Sequence, residues 1–243
     1  DFERHNCSAY SDDSGVTWSA LIRVSSLVAG SWAYPRNVYS KTKAIYLVVR
    51  RDGDVSPAVY SNTYGYSVEG TTFTNLANTF SKDISVSSIT DVEMDLIGDY
   101  GYISAVCAIT DDDFYMLSRD FDVVRVTNGV AALVVSLTDA DVNLVARRGK
   151  FIKRGEGHYT IYAGGEDASL SRRIIRIDTT DSWATYAVNI VRKGDVLDTV
   201  AAAHNYNDVL KSVLIARRPL ERGTGDGLDP DNGWSDVHLI REI

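Results

Sequence analysis

Cysteine, proline and methionine are scarce in this 243-residue chain, which holds two, four and two of them. Two thiols far apart in sequence, Cys7 and Cys107, supply neither the clustered ligands of a zinc site nor a dense disulfide framework. Both are expected to be ordinary buried or half-buried thiols. Positive charge is also short, with 25 Lys and Arg against 33 Asp and Glu for a net charge of −8. No basic block exceeds a doublet such as Arg50-Arg51, Arg147-Arg148 or Arg217-Arg218, which disfavours nucleic acid and anionic membranes as partners. No apolar run approaches the about 18 residues of a spanning helix, and the opening DFERHNCSAY lacks a signal-peptide pattern. Lacking an initiator Met, the chain is expected to be a processed product or an excised fragment.

What is present favours strands. Hydrophobic residues make up 44% of the chain, enough to bury a sizeable core. β-branched and aromatic residues in short runs are separated by Gly, Asp and Asn clusters. Four stretches share one strand–turn–strand grammar: KAIYLVVRRDGDVSPAVYS, YISAVCAITDDDFYMLS, KFIKRGEGHYTIYAG and DTVAAAHNYNDVLKSVLIA. After each comes a segment built loosely like SDDSGVTW at 11–18. The second copy has Ser67, Glu69, Gly70, Thr72 and Phe73; the third has Ser118 and Asp120, with Asp122 and Val124 at the Gly and Thr places. The fourth keeps Asp167 and Ser171, and the fifth Asp231, Gly233 and Ser235. Taking the acidic residue as marker, the separations are 56, 51, 47 and 64 residues. Periods near fifty imply a propeller-like array.

The first copy, Ser11-x-Asp13-x-Gly15-x-Thr17-Trp18, resembles the Asp-box, or BNR repeat, of sialidases and other β-propeller proteins. The resemblance implies a hairpin turn between the third and fourth strands of a blade. An Asp side chain there accepts backbone N–H bonds across the turn, and Gly takes a positive φ. Trp18 is expected to lay its indole between sheets if its N–H finds a partner. The implied architecture is all-β, one propeller-like domain over residues 1–243 with about five four-stranded blades. These run from 7 to 24 (an incomplete first blade), 27 to 77, 84 to 127, 130 to 177 and 184 to 240. The longest loops are expected at 25–43 and 219–233.

Candidate chemistry is thin. Asp111, Asp112 and Asp113 read as a solvated hairpin turn rather than a metal site, since neighbouring residues of an extended segment point to opposite faces. Asp226, Asp229 and Asp231 fail the helical calcium-loop pattern. His5, His158, His204 and His238 lack metal-ligand spacing, and YAGGED around Gly164 and Gly165 is not followed by a helix pattern. No metal and no cofactor is expected. The sialidase resemblance implies a Tyr nucleophile, an acid/base Asp and three substrate-holding arginines. The Arg-Ile-Pro motif is absent, YPRN at 34–37 is a faint substitute, and Arg50, Arg119, Arg154 and Arg217 recur near strand ends. In the five-bladed glycosidase pattern the inner strands would be SWAYPRNVYS, ITDVEMDLIG and SWATYAVNIV, of which only Asp91, Glu93 and Asp95 are acidic. They share one face of one strand, whereas an active pair should come from different blades. Fourteen Tyr and four Trp, many beside Ser, Asn and Asp, suit a recognition surface. The expectation is a non-catalytic module for glycan or protein recognition and assembly, extracellular or on a virion surface. It would belong to a longer chain or a homo-oligomer, with no nucleic acid and no membrane insertion. A sialidase-like hydrolase and a purely architectural subunit are the alternatives.

Overall fold

A computed structural model of the chain describes residues 7–9, 11, 13–26, 31–39, 44–52, 59–67, 72–75, 79–83, 86–90, 93, 95–137, 148–166, 172–193, 197–202, 212–217 and 237–241. Among these it is all-β and contains no α-helix. By compactness the chain divides into two units: Asp1–Tyr115 with Arg125–Ala132, and Met116–Val124 with Leu133–Ile243.

In chain order the strands of the first part are β1 (Cys7–Ser8), β2 (Ile22–Arg23), β3 (Ser25–Ser26), β4 (Ser31–Tyr39), β5 (Ala44–Asp52), β6 (Val59–Ser67), β7 (Thr72–Thr74), β8 (Ser81–Asp83), β9 (Ile89–Thr90) and β10 (Asp95–Gly98). β1 and β2 form a two-stranded antiparallel hairpin, and β3 pairs in parallel with β9. β4 to β8 lie side by side in chain order, and β10 adds antiparallel to β6. Among the described residues β4 pairs with β5 alone, so Pro35 within it removes no hydrogen bond from a central ladder. The stretch 25–43, expected as a loop, therefore contains a nine-residue edge strand. β-branched and aromatic residues at Trp32, Tyr34, Val38 and Tyr39 explain the difference.

Two four-stranded antiparallel sheets follow. The first contains β11 (Ile103–Thr110), β12 (Asp113–Ser118), β13 (Asp122–Thr127) and β14 (Val130–Ser136); the second contains β15 (Arg148–Gly155), β16 (His158–Glu166), β17 (Arg172–Thr179) and β18 (Ala187–Lys193). In both, order in space equals order in sequence. A three-stranded sheet, β19 (Leu197–Ala202), β20 (Ser212–Arg217) and β21 (Val237–Arg241), completes the described strands. These limits correct the expected partition at 127/130 and 177/184. Asn128-Gly129 and residues 180–186 connect neighbouring strands within one sheet. Asn128 (φ 48°) and Gly129 (φ 80°) take the two left-handed conformations of a type I′ hairpin turn. SWATYAVNIV is likewise not an inner strand, because its first half is a turn and its second half is the last strand, β18.

Burial follows strand order. Every residue of the central strand β12 is buried, whereas β14 at the edge is mostly exposed. In the first unit Phe73, Ile89, Ile103 and Phe114 are enclosed; in the second Phe121, Phe151, Ile161 and Tyr162 are. Each such side chain contributes about 1.5–3 kcal/mol by leaving water, and the central strands concentrate that gain. Cys107 lies in this core, whereas Cys7, expected to be at least half-buried, is exposed on β1.

Candidate functional site

The turn at 11–18 is closed by side chains. Ser11 Oγ donates to Asp13 Oδ1 (2.8 Å) and accepts from the Gly15 N–H (2.7 Å). Asp13 Oδ1 also accepts the Thr17 N–H (2.8 Å), and Oδ2 accepts the Thr17 hydroxyl (2.5 Å). Ser14 (φ 60°) and Gly15 (φ 89°) carry the chain through the left-handed region, which is why a glycine suits this place. The Thr17 hydroxyl foremost, then the Thr17 N–H and Ser11, hold the Asp13 carboxyl at about 2, down from 3.8. Trp18 Nε1 donates to the Gly15 carbonyl (3.2 Å), yet the residue is 65% exposed, as are Val16 and Leu21 to a still greater degree. The expectation of an indole between sheets is thus corrected: its N–H folds the ring back over its own turn, where Gly15 lies 3.9 Å from its edge when given a Cβ.

A second turn repeats these bonds where the sequence reading placed none. Between β17 and β18, Thr179 Oγ1 donates to Asp181 Oδ1 (2.9 Å) and accepts from the Trp183 N–H (3.0 Å). Asp181 Oδ1 takes the Thr185 N–H (2.9 Å) and Oδ2 the Thr185 hydroxyl (2.6 Å). Thr179, Asp181, Trp183, Thr185 and Tyr186 stand where Ser11, Asp13, Gly15, Thr17 and Trp18 stand in the first turn. The Thr185 hydroxyl, the Thr185 N–H and Thr179 lower the Asp181 carboxyl below the usual range. Here Trp183 occupies the glycine place at φ 78°, following Ser182 at φ 57°. Unlike Trp18 it is buried, edge-on to Phe151 (5.5 Å between centroids) and stacked with Tyr159 (6.3 Å). The Ser182 N–H donates to the carbonyl of Gly157 (2.9 Å), at the turn between β15 and β16. The legible signal was Thr-x-Asp-x-x-x-Thr-Tyr; a Trp in the glycine place concealed it.

A neutral version joins β7 to β8. Asn75 Oδ1 accepts the N–H groups of Thr79 (3.0 Å) and Phe80 (3.2 Å), and its Nδ2 donates to the Thr79 hydroxyl (2.8 Å). Asn75, Thr79 and Phe80 keep the Asp, Thr and Trp spacing of 11–18. Between β12 and β13 only the hydroxyl half occurs: Ser118 Oγ accepts the N–H groups of Asp120 (3.1 Å) and Asp122 (3.0 Å). Asp122 Oδ1 is bonded instead by Ser136 Oγ (2.6 Å). Ser67 ends β6, and Thr72 and Phe73 belong to β7. Glu69, Gly70, Asp167, Ser171, Asp231, Gly233 and Ser235 lie outside the described residues.

The two four-stranded sheets share a polar cluster on their middle strands. In the first, Arg125 lies over the Tyr115 ring (5.9 Å) and donates through Nε to Asp113 Oδ1 (2.9 Å) and through Nη2 to Oδ2. Thr127 also donates to Asp113 Oδ1 (3.1 Å). In the second, Arg176 lies over Tyr162 (6.0 Å) and pairs with Asp178 (2.7 Å), which accepts from Thr160 (2.7 Å). Tyr162 faces Arg176 and Thr160 faces Asp178 in register. The Asp and Thr have exchanged strands while the Tyr–Arg pair has stayed. Asp113 is therefore a buried, bonded residue of β12 rather than part of a solvated turn with Asp111 and Asp112.

Glu93 sits between β9 and β10 and Asp95 opens β10, so these two do not share one strand; Asp91 lies outside the described residues. Burial favours its neutral form, but the Thr90 N–H (2.7 Å), Lys82 (2.9 and 3.0 Å) and the Thr90 hydroxyl (2.9 Å) outweigh it and hold the carboxyl below the usual range. Glu93 thus caps the N–H of Thr90, the last residue of β9. Of the four arginines near strand ends, Arg50 lies on β5, Arg217 on β20 and Arg119 is exposed in the β12–β13 turn. Arg154 bonds Thr160 (3.3 Å). Tyr34 to Asn37 lie within β4, Gly164 and Gly165 within β16, and His158 opens β16, exposed. Among the described residues no group of three or more His, Cys, Asp or Glu is placed to hold a metal ion, and no helix is long and apolar enough to cross a membrane.

Chemically, these carboxylates are locked as acceptors. Asp13, Asp181 and Asp113 each spend both oxygens on neighbouring donors, an arrangement that fixes chain geometry, and at Asp13 and Asp181 it also resists protonation. No protein-family model, curated protein or solved structure matches the chain.

Proposed function

We propose that this chain is a non-catalytic module of β-propeller type, built for glycan or protein recognition and assembly in an extracellular or virion-surface setting. The observation that carries the reading is the recurrence of one side-chain-bridged hairpin, with acid at Asp13 and Asp181 and amide at Asn75. Together with the Asn128-Gly129 turn, these hairpins stand 62, 53 and 53 residues apart, nearer to even spacing than the marker residues chosen from sequence. A fold that repeats its sheets at such intervals and fixes each with its own turn is a rigid scaffold, and propeller blades are one way to arrange it. The Asp-box resemblance of 11–18 supports the same arrangement, with Asp181 as a further box.

The lean away from catalysis rests on the bonding of the acids. A glycosidase needs one carboxyl free to donate a proton and another free to attack or activate water, whereas Asp113, Asp178 and Glu93 are bonded by side chains of neighbouring strands. The experiment has two arms on the intact chain: an oligosaccharide array read for retention, and fluorogenic glycosides, sialosides included, read for turnover. Retention without turnover supports the proposal. Turnover abolished by substituting an acid would replace it with the hydrolase reading, and neither signal would leave the architectural subunit.

A further inference from the structure

We propose that Asn128-Gly129 is a site of spontaneous chemical modification in the folded protein, where Asn128 loses its side-chain nitrogen as ammonia through a succinimide and becomes aspartate or isoaspartate. Asn128 stands at the tip of the β13–β14 hairpin and is exposed. Its backbone N–H is taken by the Asp112 carbonyl (2.9 Å). Among the described residues, however, no hydrogen bond holds its carboxamide and no acceptor takes the Gly129 N–H. The turn explains this, because a two-residue type I′ loop bonds its flanking residues to each other and leaves the second central N–H pointing outward. Glycine adds no Cβ to shield that nitrogen. The attacking atom and the carbon it attacks are thus both bare, one peptide unit apart.

Water is the sole co-reactant. The Gly129 nitrogen gives up its proton and bonds to Asn128 Cγ, the bond from Cγ to Nδ2 breaks, and the departing nitrogen leaves with that proton as ammonia. Water then opens the ring. Attack at Cγ restores the ordinary chain as aspartate, whereas attack at the backbone carbonyl carbon leaves Gly129 joined through Cγ as isoaspartate. Other asparagines are placed differently. The Asn75 carboxamide is held by Thr79 and Phe80. Asn189 lies within β18, paired with Arg176, and the β-branched side chain of Ile190 crowds the nitrogen that would attack. Asn232-Gly233 lies outside the described residues. The two products at 128 differ in consequence. Aspartate before glycine suits the same turn, but isoaspartate lengthens the main chain by one carbon where Asn128 (φ 48°) and Gly129 (φ 80°) set the register of β13 on β14.

The test incubates the intact native chain in mildly alkaline buffer beside a sample in urea, and follows both by ion exchange and by mass spectrometry of their peptides. Each conversion adds a negative charge to a chain of net charge −8 and about 1 Da to the peptide that contains residue 128. An acidic species should accumulate in the native sample, faster at higher pH because the deprotonated nitrogen attacks. Both aspartate and isoaspartate should be found at 128, formed several times faster than at residues 75 or 189. Amide exchange across 122–136 should rise in the isoaspartate fraction and stay at the parent level in the aspartate fraction. Asn128→Gly keeps a pair that suits the turn and should remove this acidic species. An Asn128 that stays intact in the native chain while it converts in urea would overturn the proposal, since the fold would then protect it. Equal rates at residues 75, 128 and 189, or an acidic species undiminished in Asn128→Gly, would do the same. Should that variant fail to fold, the peptides of the parent decide alone.

Discussion

Replacing Trp183 by glycine would give the Asp181 turn the residue that Gly15 supplies in the first turn, and the two effects of that change oppose each other. A non-glycine residue at φ 78° bears a left-handed penalty of about 1–2 kcal/mol. Removing it is offset in part by the extra freedom glycine gives the unfolded chain, about 0.5–1 kcal/mol. The backbone gain is therefore at most about 1.5 kcal/mol. Against it stands a buried indole, 3% exposed, between Phe151 and Tyr159. Truncating an aromatic side chain in such a place costs about 3–5 kcal/mol. Burial wins, and Trp183→Gly should lower stability by about 1.5–5 kcal/mol. Urea unfolding followed by far-ultraviolet circular dichroism measures this without relying on the deleted fluorophore. Equal or greater stability of the variant would refute the reasoning, for it would mean that the aromatic cluster adds nothing beyond a strained turn.

Gly157→Ala should destabilise by about 1–2 kcal/mol in the same assay, because Gly157 has φ +70° and a Cβ would meet Ser182 Oγ at 3.4 Å and the Thr180 carbonyl at 3.5 Å. Arg125→Met leaves the buried Asp113 carboxylate with Thr127 in place of the two-pronged guanidinium. A loss of about 1–2 kcal/mol by urea titration is expected, tempered by the partial exposure of Arg125. The bridged aspartates also shape the acid limb of stability. Their folded values are depressed, so what they contribute is complete above the ordinary aspartate value and is lost as pH falls through the folded one. The double variant Thr17→Val, Thr185→Val should accordingly lose less stability than the parent between pH 4 and 2, an interval set by the 3.8 and about 2 of Asp13. Urea midpoints across that range check it.

Much of this was legible before any coordinates. Strand content followed from β-branched runs between Asn, Asp and Gly clusters, and the 11–18 stretch announced its turn because each residue has a single local job. The boundaries of the sheets were not legible, since a turn within a sheet and a link between sheets use the same residues; Asn128-Gly129 and 180–186 have the composition of either kind and belong to the first. Asp181 escaped notice because tertiary burial put Trp183 where local preference asks for glycine. The Tyr–Arg pairs at Tyr115/Arg125 and Tyr162/Arg176 depend on cross-strand register, which spacing along one strand does not reveal.

The shared bridge at Asp13, Asp181 and Asn75 is the centre of the account, and a proton–nitrogen correlation spectrum followed from neutral to acid pH tests it in one experiment. The Thr17 N–H signal should move with a midpoint at about pH 2, and the Thr185 N–H signal should move below the usual aspartate range as Asp181 is protonated. The Thr79 N–H, bonded to an amide that does not titrate, should show no such transition. Constant Thr17 and Thr185 signals, or a Thr79 signal that moves with them, would contradict the claim.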